Sequence, residues 1–177
     1  YGIERLFYAY QEEEGGIAEA LGLAERFVGD DRVCVLLADN IFERSLRAVV
    51  ENFERQERGA RIVLARESDV EHLRHLGVPE LDGGGRVTRI LEKPEAPPSE
   101  FAVTGVYFYP ADVFDVVKTL VPSARGELEI TDVNNHYLAA GTMEHDVVEG
   151  FWGDAGESID VYYSVNDFVR AHGANHT

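Results

Sequence analysis

Two aspartates that lie far apart in the sequence each follow a short segment that resembles the end of a strand. Asp39 follows the apolar run 33–38, and Asp154 lies in the glycine-flanked segment 151–156. A short run rich in Val and Leu predicts a buried parallel strand, and open α/β sheets bind ligands at the carboxyl ends of such strands. Two carboxylates placed there could share one Mg²⁺. For Asp39 alone, a role as a turn residue and helix cap is equally compatible with the sequence.

Charged side chains also come together in segments 92–94 and 123–132. Glu92 and Lys93 precede Pro94, which cannot extend a sheet ladder, so both side chains can face a ligand. A lysine holds phosphate as a point charge, and a carboxylate accepts hydrogen bonds from sugar hydroxyls. Arg125 could clamp a phosphate. The alternatives are a solvated ion pair for Glu92 and Lys93, and capping with surface pairing for segment 123–132.

The histidines and hydroxyl residues give little sign of a transition-metal site or a nucleophile. His72 and His75 have a spacing that can bind metal on a helix, but no further Cys or His lies near them in the sequence, so a solvated face is the favoured interpretation. No Gly-x-Ser-x-Gly segment is present, which argues against covalent catalysis.

The composition is that of an acidic chain. It has 33 acidic and 16 basic residues and a net charge of −17, which argues against a nucleic-acid backbone as partner because phosphate binding needs a clustered positive surface. No apolar stretch reaches the roughly 20 residues that cross a bilayer, so a cytoplasmic protein without membrane contact is expected. The acidity suits either concentrated salt or an ordinary cytosolic enzyme. Cys34, the only cysteine, lies in the apolar run and is expected to be buried.

The order of periodic segments predicts an α/β fold. A helical stripe over residues 17–27 ends at Gly29, a strand follows at 33–37, and a second helix and strand follow at 46–53 and 61–65. This alternation is typical of a parallel sheet covered by helices. Segments 82–85 and 101–109 predict a turn and a β-rich run that make the sheet mixed. Further helices are predicted after Pro110, over 130–140 and over 158–171.

Six motifs, taken in order, resemble those of the sugar nucleotidyltransferases, and most closely the glucose-1-phosphate thymidylyltransferases. They occupy residues 11–20, 37–42, 92–94, 102–109, 123–132 and 152–156. The resemblance runs from residue 1 to about residue 168. It implies a Rossmann-like, three-layer α/β/α domain over residues 1–177, with a mixed, mainly parallel sheet.

The resemblance also implies a reaction. A sugar 1-phosphate, glucose 1-phosphate in the first instance, attacks the α-phosphorus of dTTP or UTP and releases pyrophosphate. Mg²⁺ would bind Asp39 and Asp154, which with Lys93 and Arg125 form the implied catalytic set. The substrate-binding residues implied by the resemblance are Gln11 and Gly16 for the base, Gly77, Glu92 and Val103 for the sugar, and Lys93 and Arg125 for its phosphate.

One family feature is missing from these 177 residues, namely the Gly-x-Gly-Thr-Arg loop that cradles the triphosphate. The expectation is therefore a short-form enzyme whose amino-terminal strands and loop lie outside this chain, which alone would be inactive. The alternatives are a non-catalytic module that binds a sugar phosphate or a nucleotide sugar, and a UTP-specific homologue. A homo-oligomer is compatible with the sequence.

Overall fold

Residues 4–176, which the computed structural model describes, form eight strands and seven helices. The strands are β1 (Val33–Leu36), β2 (Asn40–Phe42), β3 (Ala60–Arg66), β4 (Gly77–Leu81), β5 (Val87–Glu92), β6 (Phe101–Tyr109), β7 (Met143–Val147) and β8 (Trp152–Asp154). The helices are α1 (Ile17–Gly22), α2 (Glu25–Val28), α3 (Arg47–Arg55), α4 (Val70–Leu73), α5 (Val113–Thr119), α6 (Ile130–Ala139) and α7 (Ile159–His172). No helix within residues 4–176 is long and apolar enough to cross a membrane.

A four-stranded mixed sheet with the order β1-β6-β3-β7 forms the centre of the fold. Strand β6 runs antiparallel to both of its neighbours, whereas β3 and β7 are parallel. Strands β1, β3 and β7 therefore share one direction and β6 opposes them. The sheet is mixed, as the sequence predicted, although two of its three strand pairings are antiparallel where a mainly parallel sheet was expected.

Both faces of this sheet are covered by helices. Successive residues of β6 point to opposite faces, and each set packs in a different core cluster. Val103, Tyr107 and Tyr109 pack in the larger core cluster with residues of α1, α5 and α6. Val106 and Phe108 face the other way and pack with α3. A central strand that is apolar on both faces needs helices on both sides, which gives the predicted three-layer α/β/α arrangement.

Strand β1 departs from the prediction of a buried parallel strand. It pairs antiparallel with β6, and its residues alternate between half-buried and exposed. Cys34, predicted to be buried, is exposed, and Leu36 is 59% exposed. Within residues 4–176, β1 is an edge strand with cover on only one face, so the apolar composition that suggested burial does not lead to it here.

Most other local predictions are close to the observed elements. Strands β3 and β6 and helices α6 and α7 match the expected segments within two residues. The turn at 82–85 joins β4 to β5 as an antiparallel hairpin. The segment 17–27, predicted as one helix, is instead two short helices that are separated at Leu23 and Ala24 and end at Gly29, whose φ is 60°. Gly22, a weak helix former, directly precedes the break.

Candidate active site

The two predicted metal aspartates are brought together by a small antiparallel ladder. Strand β2 pairs with β8, and Asn40 lies opposite Asp154 in the register. The Ala155 N–H donates to the Asp39 carbonyl at 2.9 Å, which extends the pairing past the ladder. A Cβ built on Gly156 would collide with Asp39 Oδ2 and lie 3.4 Å from Asp154 Oδ1. The two carboxylates therefore face one small space beside Gly156.

Asn40 holds this arrangement in place. Its side chain is buried, and its Oδ1 accepts hydrogen bonds from the Gly105 N–H and from Trp152 Nε1, both at 2.8 Å. Its Nδ2 donates to Asp39 Oδ1 at 3.0 Å. Because one amide joins β6, β8 and the Asp39 carboxylate, it fixes where that carboxylate points.

The charges of the aspartate pair favour a bound cation. Burial raises the pKa of Asp154 above its ordinary value, and the neighbouring charge of Asp39 raises it further, against the lowering effects of the Gly156 N–H and of His72. No group of three or more His, Cys, Asp or Glu side chains within residues 4–176 could hold a metal by itself. Two carboxylates are, however, the protein share of many Mg²⁺ sites, in which waters and substrate phosphates complete the octahedron. The donor set fits Mg²⁺.

Beside the aspartates lies a cavity of about 230 Å³. Six residues that the sequence singled out line it, namely Gly77, Glu92, Lys93, Val103, Arg125 and Asp154. They come from β4, β5, β6, β8 and the loop before α6, so residues that are distant in sequence share one cavity. Asp39 does not line this cavity. Its carboxylate lies beside Gly156 together with that of Asp154, which does line the cavity.

The acid and base at the end of β5 are both constrained. Glu92 Oε2 accepts a 2.6 Å hydrogen bond from Thr131 Oγ1, which turns the carboxylate towards α6. Lys93 has a φ of 46°, a left-handed conformation that costs energy in a residue other than glycine. Its side chain is exposed. The pair is therefore not a freely solvated surface ion pair, because Glu92 is bound to Thr131.

Arg125 is surrounded by carboxylates. Its Nε and Nη2 form a fork on Glu129 at 3.2 and 2.8 Å, and Nη2 also lies 3.5 Å from Glu127 and 3.6 Å from Glu92. The hydrogen bond to Glu129 is the main reason why the pKa of the guanidinium is raised. Burial alone would raise the pKa of Glu129, but hydrogen bonds from Ser123 and Arg125 hold it below its usual value. The arginine is thus charged and oriented.

A second cavity, of about 310 Å³, adjoins the first on the side of α1. Gln11 and Gly16, the two residues implied for base binding, both line it. Ile17, Leu37 and Glu127 line both cavities, so the two spaces are neighbours. Gly16 has a φ of 92°, and a Cβ there would lie 2.5 Å from the Leu128 carbonyl oxygen, which explains the glycine.

Sequence reasoning missed several residues of the main cavity, including Tyr107, Thr131 and Asn134. Burial is the largest cause that raises the pKa of Tyr107, followed by the charges of Glu92, Asp154 and Asp39, so its phenol stays protonated. The alternation of a strand could have found it, since Val103 and Tyr107 lie four residues apart in β6 and therefore on the same face.

The interpretation of His72 as part of a solvated face is wrong. Its side chain is only 17% exposed, with Nδ1 2.6 Å from Glu67 Oε2 and Nε2 2.5 Å from Glu157 Oε2. The Nε2 contact is an ion-pair distance without the direction of a hydrogen bond. Glu157 belongs to the turn after Asp154, and local spacing could not reveal this partner because it is distant in sequence. His75, by contrast, is exposed and lines the main cavity.

The chain is similar to curated proteins and solved structures of one kind. It is 41% identical over 162 residues to the low-salt glycan biosynthesis nucleotidyltransferase Agl11 of Haloferax volcanii, covering 91% of this chain and 44% of that protein. It is 39% identical over 159 residues to a glucose-1-phosphate thymidylyltransferase of Neisseria meningitidis, covering 88% and 54%. The chain thus spans about half the length of these curated relatives.

Two solved structures share the fold. One is a Bacillus anthracis protein described as a glucose-1-phosphate thymidylyltransferase, in complex with sucrose; it is 44% identical with a TM-score of 0.85, covering 93% of this chain and 65% of that one. The other is a UDP-glucose pyrophosphorylase in complex with UDP-glucose, with a TM-score of 0.81, covering 93% and 66%; at 21% identity it shows the fold alone. The family model described as nucleotidyl transferase matches residues 3–172, so this chain belongs to the nucleotidyl transferase family.

Proposed function

We propose that this chain carries the sugar-phosphate and metal-binding part of a nucleotidyltransferase that makes a nucleotide sugar, with dTTP and glucose 1-phosphate as the preferred substrates. The observation that carries the proposal is the shared cavity, in which Lys93, Arg125 and Glu92 face Asp154. Cations suit a phosphate, and an oriented carboxylate suits sugar hydroxyls. The names of the relatives from Neisseria meningitidis and Bacillus anthracis support this choice of substrates.

The chemistry needs positioning and charge neutralisation more than a nucleophile. An oxygen of the sugar 1-phosphate forms a bond to the α-phosphorus, the bond from that phosphorus to the bridging oxygen breaks, and pyrophosphate leaves. Asp39 and Asp154 would hold Mg²⁺, which supplies charge neutralisation on the phosphates when it is bound. Lys93 and Arg125 would bind the phosphate of the sugar and aim its oxygen.

The sugar would lie against Gly77, Val103 and Glu92. A Cβ on Gly77 would make only ordinary contacts, 3.5 Å from Ile90 Cγ2 and 3.7 Å from Val103 Cβ, so packing within the protein does not require glycine there. A ligand that approaches the backbone would explain it. Glu92, fixed by Thr131, would accept hydrogen bonds from the hydroxyls. Gln11 and Gly16 would meet the base in the adjoining cavity, and residues 1–177 would form part of one nucleotidyltransferase domain.

The test uses the full product of the gene that encodes this sequence. We expect Mg²⁺-dependent release of pyrophosphate from dTTP with glucose 1-phosphate, with UTP and other hexose 1-phosphates as comparisons. Lys93→Ala and Arg125→Ala should each raise KM for the sugar phosphate by about tenfold or more, since a hydrogen bond to a charged group contributes about 1.5–3 kcal/mol. Arg86→Ala is the matched control, because Arg86 is exposed and, within residues 4–176, its side chain forms its ion pair with Asp82 of the hairpin turn. A folded protein that releases no pyrophosphate from either nucleotide would refute the proposal.

A further inference from the structure

The side-chain amide of Gln11 has a single possible orientation. Its Nε2 donates one hydrogen bond to the Gly16 carbonyl at 3.2 Å and another to Glu19 Oε2 at 2.6 Å. A carbonyl and a carboxylate can only accept, so the nitrogen must face both of them and cannot be exchanged with the oxygen. The two N–H groups of this amide are therefore fully used within the protein.

The same contacts leave one atom of the amide for a ligand. Gln11 lines the cavity beside α1, with Ile17, Ala20 and Leu37 as apolar neighbours. Within residues 4–176, no protein donor binds Gln11 Oε1, whereas Nε2 has two partners. A ligand in this cavity would therefore find a hydrogen-bond acceptor in Gln11 Oε1, while the N–H groups of the same amide are already used. Glu14 and Glu127 add carboxylates to the lining, while Gln11 Oε1 is a neutral acceptor that the two hydrogen bonds of its amide hold in place. Such an acceptor beside an apolar wall suits an aromatic ring that carries an N–H.

We propose that Glu19 is a positioning residue that locks Gln11 as a hydrogen-bond acceptor and thereby makes this cavity select a nucleobase with an imide N–H, as in thymine or uracil. The inference rests on the proposed function for the presence of a nucleotide. An imide ring donates its N3–H to Oε1. Cytosine in the same pose presents a lone pair at N3, and two acceptors then oppose each other. An acceptor that a bound base covers without supplying a donor is costly, and this cost is the source of the selection.

Among the partners of Gln11 within residues 4–176, Glu19 is the one that a substitution can remove without altering the backbone, because the Gly16 contact is a main-chain carbonyl. Without Glu19, the amide keeps one weaker bond, at 3.2 Å, and can turn by 180° to present its nitrogen to the base. The turned amide would accept cytosine. Removing Glu19 should therefore lower the discrimination between bases more than it lowers nucleotide binding itself.

Gly15 offers a second way to disturb the lock. A Cβ built on Gly15 would overlap the carboxylate of Glu19, whose Oε1 would lie 2.5 Å away. The end of a Glu side chain is flexible, so Gly15→Ala should displace the carboxylate while leaving its charge in the protein. This variant separates the position of Glu19 from its charge.

The experiment is an NMR titration of the ¹⁵N-labelled full product of the gene with dTDP and, separately, with dCDP. Wild type should prefer dTDP by about tenfold, the ratio given by roughly 1.4 kcal/mol for one mismatched hydrogen bond. Glu19→Ala and Gly15→Ala should bring the ratio close to one. Glu19→Gln retains an acceptor oxygen and should restore most of the preference. Glu12→Ala, which removes one exposed acidic charge nearby, is the matched control and should leave the ratio unchanged.

The Gln11 side-chain NH₂ signals give a readout that needs no nucleotide. They should move to the positions of a solvent-exposed amide in Glu19→Ala and stay in place in Glu12→Ala. An unchanged dTDP-to-dCDP ratio in Glu19→Ala would overturn the inference, and so would unmoved NH₂ signals. If the NH₂ signals move as expected but wild type binds neither nucleotide, the base-binding part of the proposed function is wrong and the selecting role of Glu19 falls with it.

Discussion

Asn40 lies opposite Asp154 in the β2–β8 ladder, while its side chain donates a hydrogen bond to the adjacent Asp39. One residue thus belongs to the backbone pairing that brings the two carboxylates together and to the side-chain network that orients one of them. Its Oδ1 is saturated by Gly105 and Trp152, so the amide cannot turn without losing three bonds. This relationship makes Asn40 a structural determinant of the proposed metal site.

Asn40→Ala should therefore destabilise the chain and weaken metal binding together. It leaves the Gly105 N–H and Trp152 Nε1 without an acceptor, which should cost about 2–4 kcal/mol in the free energy of unfolding. Urea unfolding gives the stability, and Mn²⁺ titration followed by electron paramagnetic resonance gives the affinity. Asn166→Ala, on the exposed surface of α7, is the control. Wild-type stability in Asn40→Ala would contradict the assignment.

Asp154→Asn should stabilise the metal-free chain and abolish metal-dependent stabilisation. The folded pKa of Asp154 is raised by burial and by Asp39, so the native state binds this proton more tightly than the unfolded state does. The stability that this carboxyl contributes is full below its ordinary pKa and is lost as pH rises through the raised value. At neutral pH the neutral amide should raise Tm by about 2 °C, the shift expected from somewhat less than 1 kcal/mol in a chain of this size.

Thermal unfolding with and without saturating MgCl₂ checks both parts of this expectation. MgCl₂ should raise the Tm of wild type but not that of Asp154→Asn, because the cation binds only the native carboxylate pair. Asp31→Asn removes an exposed charge and is the control. If MgCl₂ raises Tm equally in wild type and Asp154→Asn, then Asp154 is not a metal ligand.

His145 should make the chain sensitive to mild acid. Burial is the largest cause that lowers its pKa, and Arg61 lowers it further against the opposing charges of Asp146 and Glu144. The unfolded state then binds this proton more readily, so stability is lost as pH falls from the unfolded pKa of about 6.5 towards the folded value. In His145→Asn the free energy of unfolding should fall less steeply with decreasing pH than in wild type, with a difference in slope of less than about 1 kcal/mol per pH unit.

Urea unfolding at several pH values between about 7 and 5.5, on either side of the ordinary histidine pKa, tests this dependence. His75→Gln, at an exposed position, serves as the control. A pH dependence in His145→Asn as steep as that of wild type would assign the acid sensitivity to other groups.

Salt should stabilise the chain, because its net charge of −17 is spread over the whole sequence. The Debye length falls from about 10 Å at 0.1 M to about 3 Å at 1 M salt, which removes most repulsion between exposed carboxylates. We expect Tm to rise by about 5 °C over this range in KCl, equivalent to roughly 1–2 kcal/mol. Sucrose is the control, because it is excluded from the protein surface and stabilises proteins without screening charges. A rise in Tm caused by screening should appear with KCl and not be explained by the effect of sucrose. A Tm that falls between 0.1 and 1 M KCl would show that ion pairs, such as that of Arg61 with Asp146, outweigh the repulsion.

Sequence alone predicted the fold class and most local elements, because these depend on short-range periodicity. Strand β6, which is mostly apolar apart from Thr104 and Gly105, was expected as a β-rich run over 101–109, and α6 was expected as a helix over 130–140. The mixed α/β sheet followed from the order of such segments. The residues around the main cavity also carried a local signal, since Glu92, Lys93 and Arg125 stand out as charges at the ends of elements.

Only the tertiary structure decided which of these residues meet and which apolar residues are buried. Burial depends on what covers a strand, and a strand's own composition does not contain that information, as the exposed Cys34 shows. The β2–β8 ladder and the contact of His72 with Glu157 each join segments that lie far apart in the sequence. Such contacts depend on register and chain path, because each is formed only when the whole fold brings its two sides together.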